Sequence, residues 1–287
     1  MNGDPPTRWA WADIDLDAVR HNVEQLRATV APSGLWAVVK ANGYGHGAVD
    51  VARAALAGGA DGLCVALAQE GLDLRDRGIT APILLLSEQP PAAETLDNFA
   101  ATMEVLGDLV KEGKIRAFGL SNETAWGTLR WLEAAAATGG PRVAAIQNEY
   151  SLMCRHYDTD MAEVGYQEDV TLLAFSPLAV GLLTGKYTDG AVPDGSRLSL
   201  NETLGGRARA QSFVAADAYV QAARDHGVDP VHMALAWCVE RPFPNIPIFG
   251  ATTSAQLDHI IAGLDVTLSD ELKTALSNTH RNHPMPY

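Results

Sequence analysis

The sequence predicts an α/β fold closed as a single (β/α)₈ barrel over residues 1–287, and three observations carry the prediction. Short runs of Val, Ile, Leu and Ala alternate with longer segments whose apolar residues recur at a helical period. Such alternation implies parallel strands joined by right-handed crossovers. The unit recurs eight times in 287 residues, a length typical of one-domain barrels.

Taken in order, Ala10–Ile14 is a short apolar strand, and Val19, Val23, Leu26 and Val30 follow it at helical spacing. Leu35–Ala41 is the second strand, with a helix over Val51–Leu56 after a glycine-rich turn. Gly62–Leu67 and Ala81–Leu86 are buried-type strands, continuous in apolar residues, separated by a helix over Glu70–Arg77. A helix over Leu96–Val110 leads to the strand Ile115–Leu120, and one over Thr124–Ala137 leads to Val143–Gln147. Val170–Ser176 and Asn245–Phe249 complete the strands, with a helix over Gln211–His226 between them. The one long irregular stretch, Thr188–Ala210, carries scattered Gly, Pro, Ser and Arg and is a lid candidate, because long loops in compact domains are usually functional.

Composition narrows the function classes. A net charge of -14 without clustered Lys and Arg argues against nucleic acid or an anionic membrane as partner. No protein partner is indicated, and a small-molecule substrate fits better. Cys64, Cys154 and Cys238 are odd in number, widely spaced and set in apolar runs, which suits reduced thiols of a cytoplasmic protein; the cysteines suggest no disulfide frame, and no metal site is expected. No apolar run approaches the about 18 residues of a membrane span, and no charged-then-apolar leader is present.

Two motifs carry chemistry. Val38-Val39-Lys40-Ala41-Asn42-Gly43-Tyr44-Gly45-His46-Gly47 follows Trp11-Ala12-Asp13-Ile14-Asp15-Leu16 and precedes Gly58-Gly59-Ala60-Asp61 and the Ala81–Leu86 strand. Over about 9–91 this segment resembles the amino-terminal part of alanine racemases. The resemblance implies that Lys40 is the residue that forms an imine with pyridoxal phosphate and moves a proton, with Tyr44 beside the cofactor phosphate. An amine at the end of an inner barrel strand is placed for that chemistry. For His46 the expectation is a loop histidine without a chemical role.

From about 94 to 287 the chain resembles aldo-keto reductases, through four separate pieces in family order. Gly119-Leu120-Ser121-Asn122 and Ala145-Ile146-Gln147-Asn148 match strand ends, which implies that Ser121, Asn122 and Gln147 bond a nicotinamide carboxamide; an amide needs both donors and acceptors. Phe175-Ser176-Pro177-Leu178 opens a run to Tyr187 and implies a stacking ring at Phe175, with Ser176 and Leu178 beside the dinucleotide. Gly250-Ala251-Thr252-Thr253-Ser254-Ala255-Gln256 implies a phosphate site at a helix start, using Gly250, Thr252, Thr253 and Gln256. The implied cofactor is NADP(H) or NAD(H). Two departures stand out: Ile260 replaces an Asn the family often has near adenine, and the Gly250–Gln256 turn holds no Arg or Lys.

The family's reductive Asp, Tyr, Lys and His belong to strands that are here racemase-like. The third strand end, Val65–Glu70, offers no Lys, and Ser87 stands where the His would. Lys40 and Tyr44 are the nearest substitutes, Tyr44 as a proton donor and Lys40 as its neighbouring cation. The chain is thus expected to be a fusion of a racemase-like part (1–92) with a reductase-like part (93–287), joined between about Glu88 and Leu96. The expected activity is weak or vestigial NAD(P)H-dependent carbonyl oxidoreduction. The alternatives are a pyridoxal-phosphate protein using Lys40 and a non-catalytic barrel scaffold.

Overall fold

A computed structural model describes residues 13–86 and 98–287. The expected strand at Ala10–Ile14 falls largely outside the described residues, as do Ser87 and the junction between Glu88 and Leu96. The chain divides into two compact units, one of residues 1–119 with 131–143 and the other of residues 120–130 with 144–287.

In the first unit, α1 (Leu16–Val30) starts where Asp15 accepts a hydrogen bond from the Ala18 amide at 2.9 Å. It is followed by β1 (Trp36–Val38), the short turn α2 (Lys40–Tyr44) and α3 (Ala48–Ala57). β2 (Gly62–Val65), α4 (Ala68–Asp76), β3 (Ile83–Leu85) and α5 (Phe99–Lys111) complete the pattern. The three strands form a parallel sheet in the order β1-β2-β3, with Ala37 beside Leu63 and Cys64 beside Leu84.

Val23 of α1 packs with Ala55 and Ala60, and Leu35, Ala37 and Leu56 close over them. That approach depends on Gly58, where a Cβ would lie 2.6 Å from the Arg20 carbonyl oxygen and 2.9 Å from the Val23 Cβ. β2 is buried along its whole length, as the unbroken apolar run predicts.

β4 (Phe118–Ser121) is followed by α6 (Ala125–Thr138), β5 (Val143–Glu149), α7 (Met161–Gln167) and β6 (Thr171–Phe175). Then come α8 (Arg197–Leu200), α9 (Ala210–Asp225), α10 (Pro230–Val239), β7 (Asn245–Ile248), α11 (Ser254–Ile261) and α12 (Asp270–Asn282). The sheet order is β4-β5-β6-β7, with parallel pairing from β5 to β7.

Ile146, Leu172 and Ala174 are fully buried in the second unit. Beside them Tyr150 stacks on Trp237 at 5.2 Å and meets Phe243 edge-on at 5.9 Å. Burying the Tyr150 hydroxyl is offset by its bond to Asp158 Oδ1 at 2.6 Å, and Arg241 reaches the same oxygen at 3.3 Å.

The stretch expected to be irregular, Thr188–Ala210, is largely a series of short helical turns. Leu198 and Leu204 are buried in it, and the Tyr187 hydroxyl accepts from the Leu198 amide. Glycine and proline interrupt the helical period too often for it to be legible in sequence. Among the described residues, no helix is long and apolar enough to cross a membrane.

Candidate functional site

The second unit contains a cleft of about 600 Å³ between the ends of β6 and β7 and the first turns of α10 and α11. Five of the residues expected at the dinucleotide line it: Ser176, Leu178, Gly250, Thr252 and Gln256. Ser176, at the end of β6, has a left-handed backbone (φ 54), as do Ala179 and Val180 beyond it. Non-glycine residues enter that region at a cost of roughly 1–2 kcal/mol each. The turn therefore keeps a conformation its local sequence does not favour, and it lies on the cleft wall.

At the start of α11, Thr253 caps the helix by accepting from the Gln256 amide at 3.2 Å. The Gln256 side-chain oxygen in turn accepts from the amide and hydroxyl of Thr252 at 2.8 and 2.9 Å. The first intrahelical bond runs from Leu257 N to Thr253 O, so the amides of Ser254 and Ala255 precede it. A Cβ built on Gly250 would meet nothing within 4 Å, so the backbone there faces open space.

Two cations line the same cleft, Lys186 and Arg197. Neither was assigned a role from sequence, because both are remote in the chain from the Gly250–Gln256 turn. Arg197 belongs to the stretch singled out as a possible lid, which was the only sequence signal for it. These cations, the helix start and the open backbone at Gly250 fit a phosphorylated ligand.

Ser121, Asn122 and Gln147 are brought together at the ends of β4 and β5. The Asn122 amide donates to the Gln147 carbonyl at 3.0 Å, and the Asn122 side chain donates to Ser121 Oγ at 3.2 Å. Asn148 Oδ1 beside them is buried without a hydrogen-bond partner. Phe175 ends the neighbouring strand β6, in register with Glu149 and Ile248.

Lys40 and Tyr44 belong to the first unit. The strand ends earlier than expected, at Val38, and Lys40 opens a turn in which Ala41, Asn42, Gly43 and Tyr44 all have φ between 53 and 62. Only Gly43 adopts this without strain. Glu70 holds the turn: its carboxylate accepts from the amides of Ala41 at 2.6 Å, Ala66 at 2.8 Å and Leu67 at 3.0 Å. The Asn42 side chain caps α3 through the Ala48 amide. Lys40 is half-buried and Tyr44 is exposed. Partial desolvation, and then Cys64, raises the Tyr44 phenol above its usual pKa, whereas a proton donor aided by a neighbouring cation would shift the other way.

Comparison with known proteins matches each segment to its own family. Residues 81–278 match the Aldo/keto reductase family and residues 14–111 match "Alanine racemase, N-terminal domain". The overlap of the two, 81–111, straddles the junction expected from sequence. Among curated proteins, the chain is 40% identical to "Protein tas" of Escherichia coli (strain K12) over 200 residues, 70% of this chain and 57% of that protein. It is 57% identical to the alanine racemase of Desulfosudis oleivorans over 82 residues, 28% of this chain and 21% of that enzyme. The chain thus spans little more than half of the first relative and about a fifth of the second.

The structure is similar to that of a glycerol dehydrogenase from Gluconobacter oxydans, with a TM-score of 0.72 and 21% identity. The match covers 96% of this chain and 88% of that one. That likeness carries the fold, the α/β class of parallel strands that the sequence predicts. Two unrelated families matched over different segments make the chain a fusion of the two.

Proposed function

The chain belongs to the aldo/keto reductase family, and on that premise we propose that the cleft of its second unit binds NADPH or NADH for a carbonyl oxidoreductase reaction. The observation that carries the reading is the convergence on one cleft of Lys186, Arg197 and the open backbone at Gly250 with the start of α11. Cations and helix-start amides offset phosphate charge, and a glycine without neighbours lets a ligand approach the backbone. When bound, the dinucleotide supplies the hydride. Thr252, Thr253 and Gln256 orient the phosphate-bearing end, and Ser121, Asn122, Gln147 and Phe175 hold the ring end. Leu178 excludes water along the wall.

Turnover in this reading is weak, because the segment that carries the family's reductive Asp, Tyr, Lys and His is racemase-like in this chain. Fluorescence titration with NADPH and NADH tests the binding step. Saturable binding, weakened tens of fold in total when Ser121, Asn122 and Gln147 are all replaced by Ala, is expected from losses of roughly 0.5–1.5 kcal/mol per hydrogen bond. Absence of binding at millimolar cofactor overturns the reading.

A second reading rests on a separate observation, the left-handed turn that Glu70 holds directly after Lys40. It supports pyridoxal phosphate bound at Lys40. Borohydride trapping and peptide mapping test it: a pyridoxyl group on Lys40 is expected, and labels scattered over surface lysines such as Lys111 and Lys114 exclude it. Failure of both readings leaves a barrel scaffold without turnover.

A further inference from the structure

Asp229, His232 and His259 each present a ligand atom within 4.8 Å of the others. Asp229 precedes α10 and His232 lies in its first turn, while His259 lies in α11 and lines the cleft. His259 Nε2 is 3.2 Å from Asp229 Oδ1. That separation matches the roughly 3.3 Å edge of a tetrahedron with zinc-ligand bonds of about 2.0 Å.

His232 supplies the second, independent observation. Its Nε2 faces the His259 carbonyl oxygen at 2.6 Å, and an oxygen acceptor there makes Nε2 the protonated nitrogen. The free lone pair of His232 is then on Nδ1. A histidine whose far nitrogen donates to a backbone carbonyl is the arrangement that orients a metal-ligating imidazole.

We propose that Asp229, His232 and His259 form a binding site for a divalent transition metal of the zinc class on the rim of the cleft, linking the start of α10 to α11. Two imidazoles and one carboxylate favour zinc over magnesium or calcium, which select oxygen ligands. Three protein ligands leave a fourth position for water or a ligand oxygen. The two rings stack at 4.7 Å and His259, the exposed member, already holds its Nε2 beside Asp229, so closing on one ion requires an adjustment between the two imidazoles. Asp229 also caps α10, accepting from the amides of Val231 at 2.9 Å and His232 at 3.2 Å. The cap fixes one ligand in place before any ion arrives.

The test uses the full chain without dinucleotide, so its outcome is independent of the cofactor reading. Calorimetric titration with Zn²⁺ is expected to show one equivalent per chain and a raised melting temperature. Asp229→Asn keeps a capping side chain, so it should preserve the metal-free melting temperature. It and His259→Gln should each weaken Zn²⁺ binding by at least about 10-fold. Where a variant fails to fold, imidazole resonances of the unmodified chain decide: shifts confined to His232 and His259 support the site, and shifts confined to other histidines overturn it. Absence of Zn²⁺ binding, or binding equally tight in the two folded variants, also overturns it.

Discussion

Arg207 grips Glu149 with two parallel hydrogen bonds, Nε to Oε1 at 2.8 Å and Nη2 to Oε2 at 2.6 Å. Glu149 ends β5, and Arg207 lies in the stretch that the sequence presents as a lid candidate. The Tyr287 hydroxyl donates to the same carboxylate at 3.3 Å, and the hydrogen bond that Arg207 donates to Glu149 raises the Arg207 pKa. A bidentate, partly shielded pair of this kind anchors the stretch.

Glu149→Gln should therefore loosen residues 188–210 and cost about 1–2 kcal/mol, the lower part of the range for hydrogen bonds to charged groups because the pair keeps some solvent contact. Limited proteolysis should cut within that stretch faster than in the parent chain. Unchanged cleavage would show that Leu198 and Leu204 hold it alone.

Glu70→Gln should destabilise the first unit by about 1.5–3 kcal/mol, because one carboxylate serves three amides and the neutral amide side chain accepts more weakly. The turn after Lys40 should relax, which amide hydrogen exchange at Ala41, Ala66 and Leu67 would report. Exchange rates equal to those of the parent would remove Glu70 from this role.

Burial pushes the thiols of Cys64 and Cys154 up to about 11 and that of Cys238 up to about 12. The folded chain holds these protons while the unfolded chain releases them from about pH 8.5 upward. The stabilisation they contribute is complete below that pH and is lost as pH rises through 11 to 12. Urea midpoints should fall over that window, less steeply in a Cys64→Ala, Cys154→Ala, Cys238→Ala chain. At neutral pH the three thiols should react with a disulfide reagent only on unfolding.

Lys186→Ala and Arg197→Ala should each weaken NADPH binding by about 3- to 10-fold, and NADH binding less, because the extra phosphate adds charge in the same cleft. The difference should shrink at high salt. Equal losses for both cofactors would place these cations away from the extra phosphate.

Alternating apolar runs and helical periods locate the described strands and the helices α1, α3, α4, α5, α6 and α9, because each pattern is local to its own element. The two family signatures were equally legible, since Lys40–Tyr44 and Gly250–Gln256 are contiguous. What the sequence by itself determined was therefore the α/β class, the fusion and the motif residues. Only tertiary structure decided which distant residues share a cleft. The crossovers between parallel strands carry Lys186 and Arg197 into the same cleft as Gly250, and bring His259 to Asp229 and His232. No local period encodes such meetings, because they arise from packing between elements far apart in the chain. The left-handed turn at Ala41–Tyr44 was hidden for a related reason: its non-glycine residues disfavour that conformation locally, and Glu70, from another helix, holds it in place.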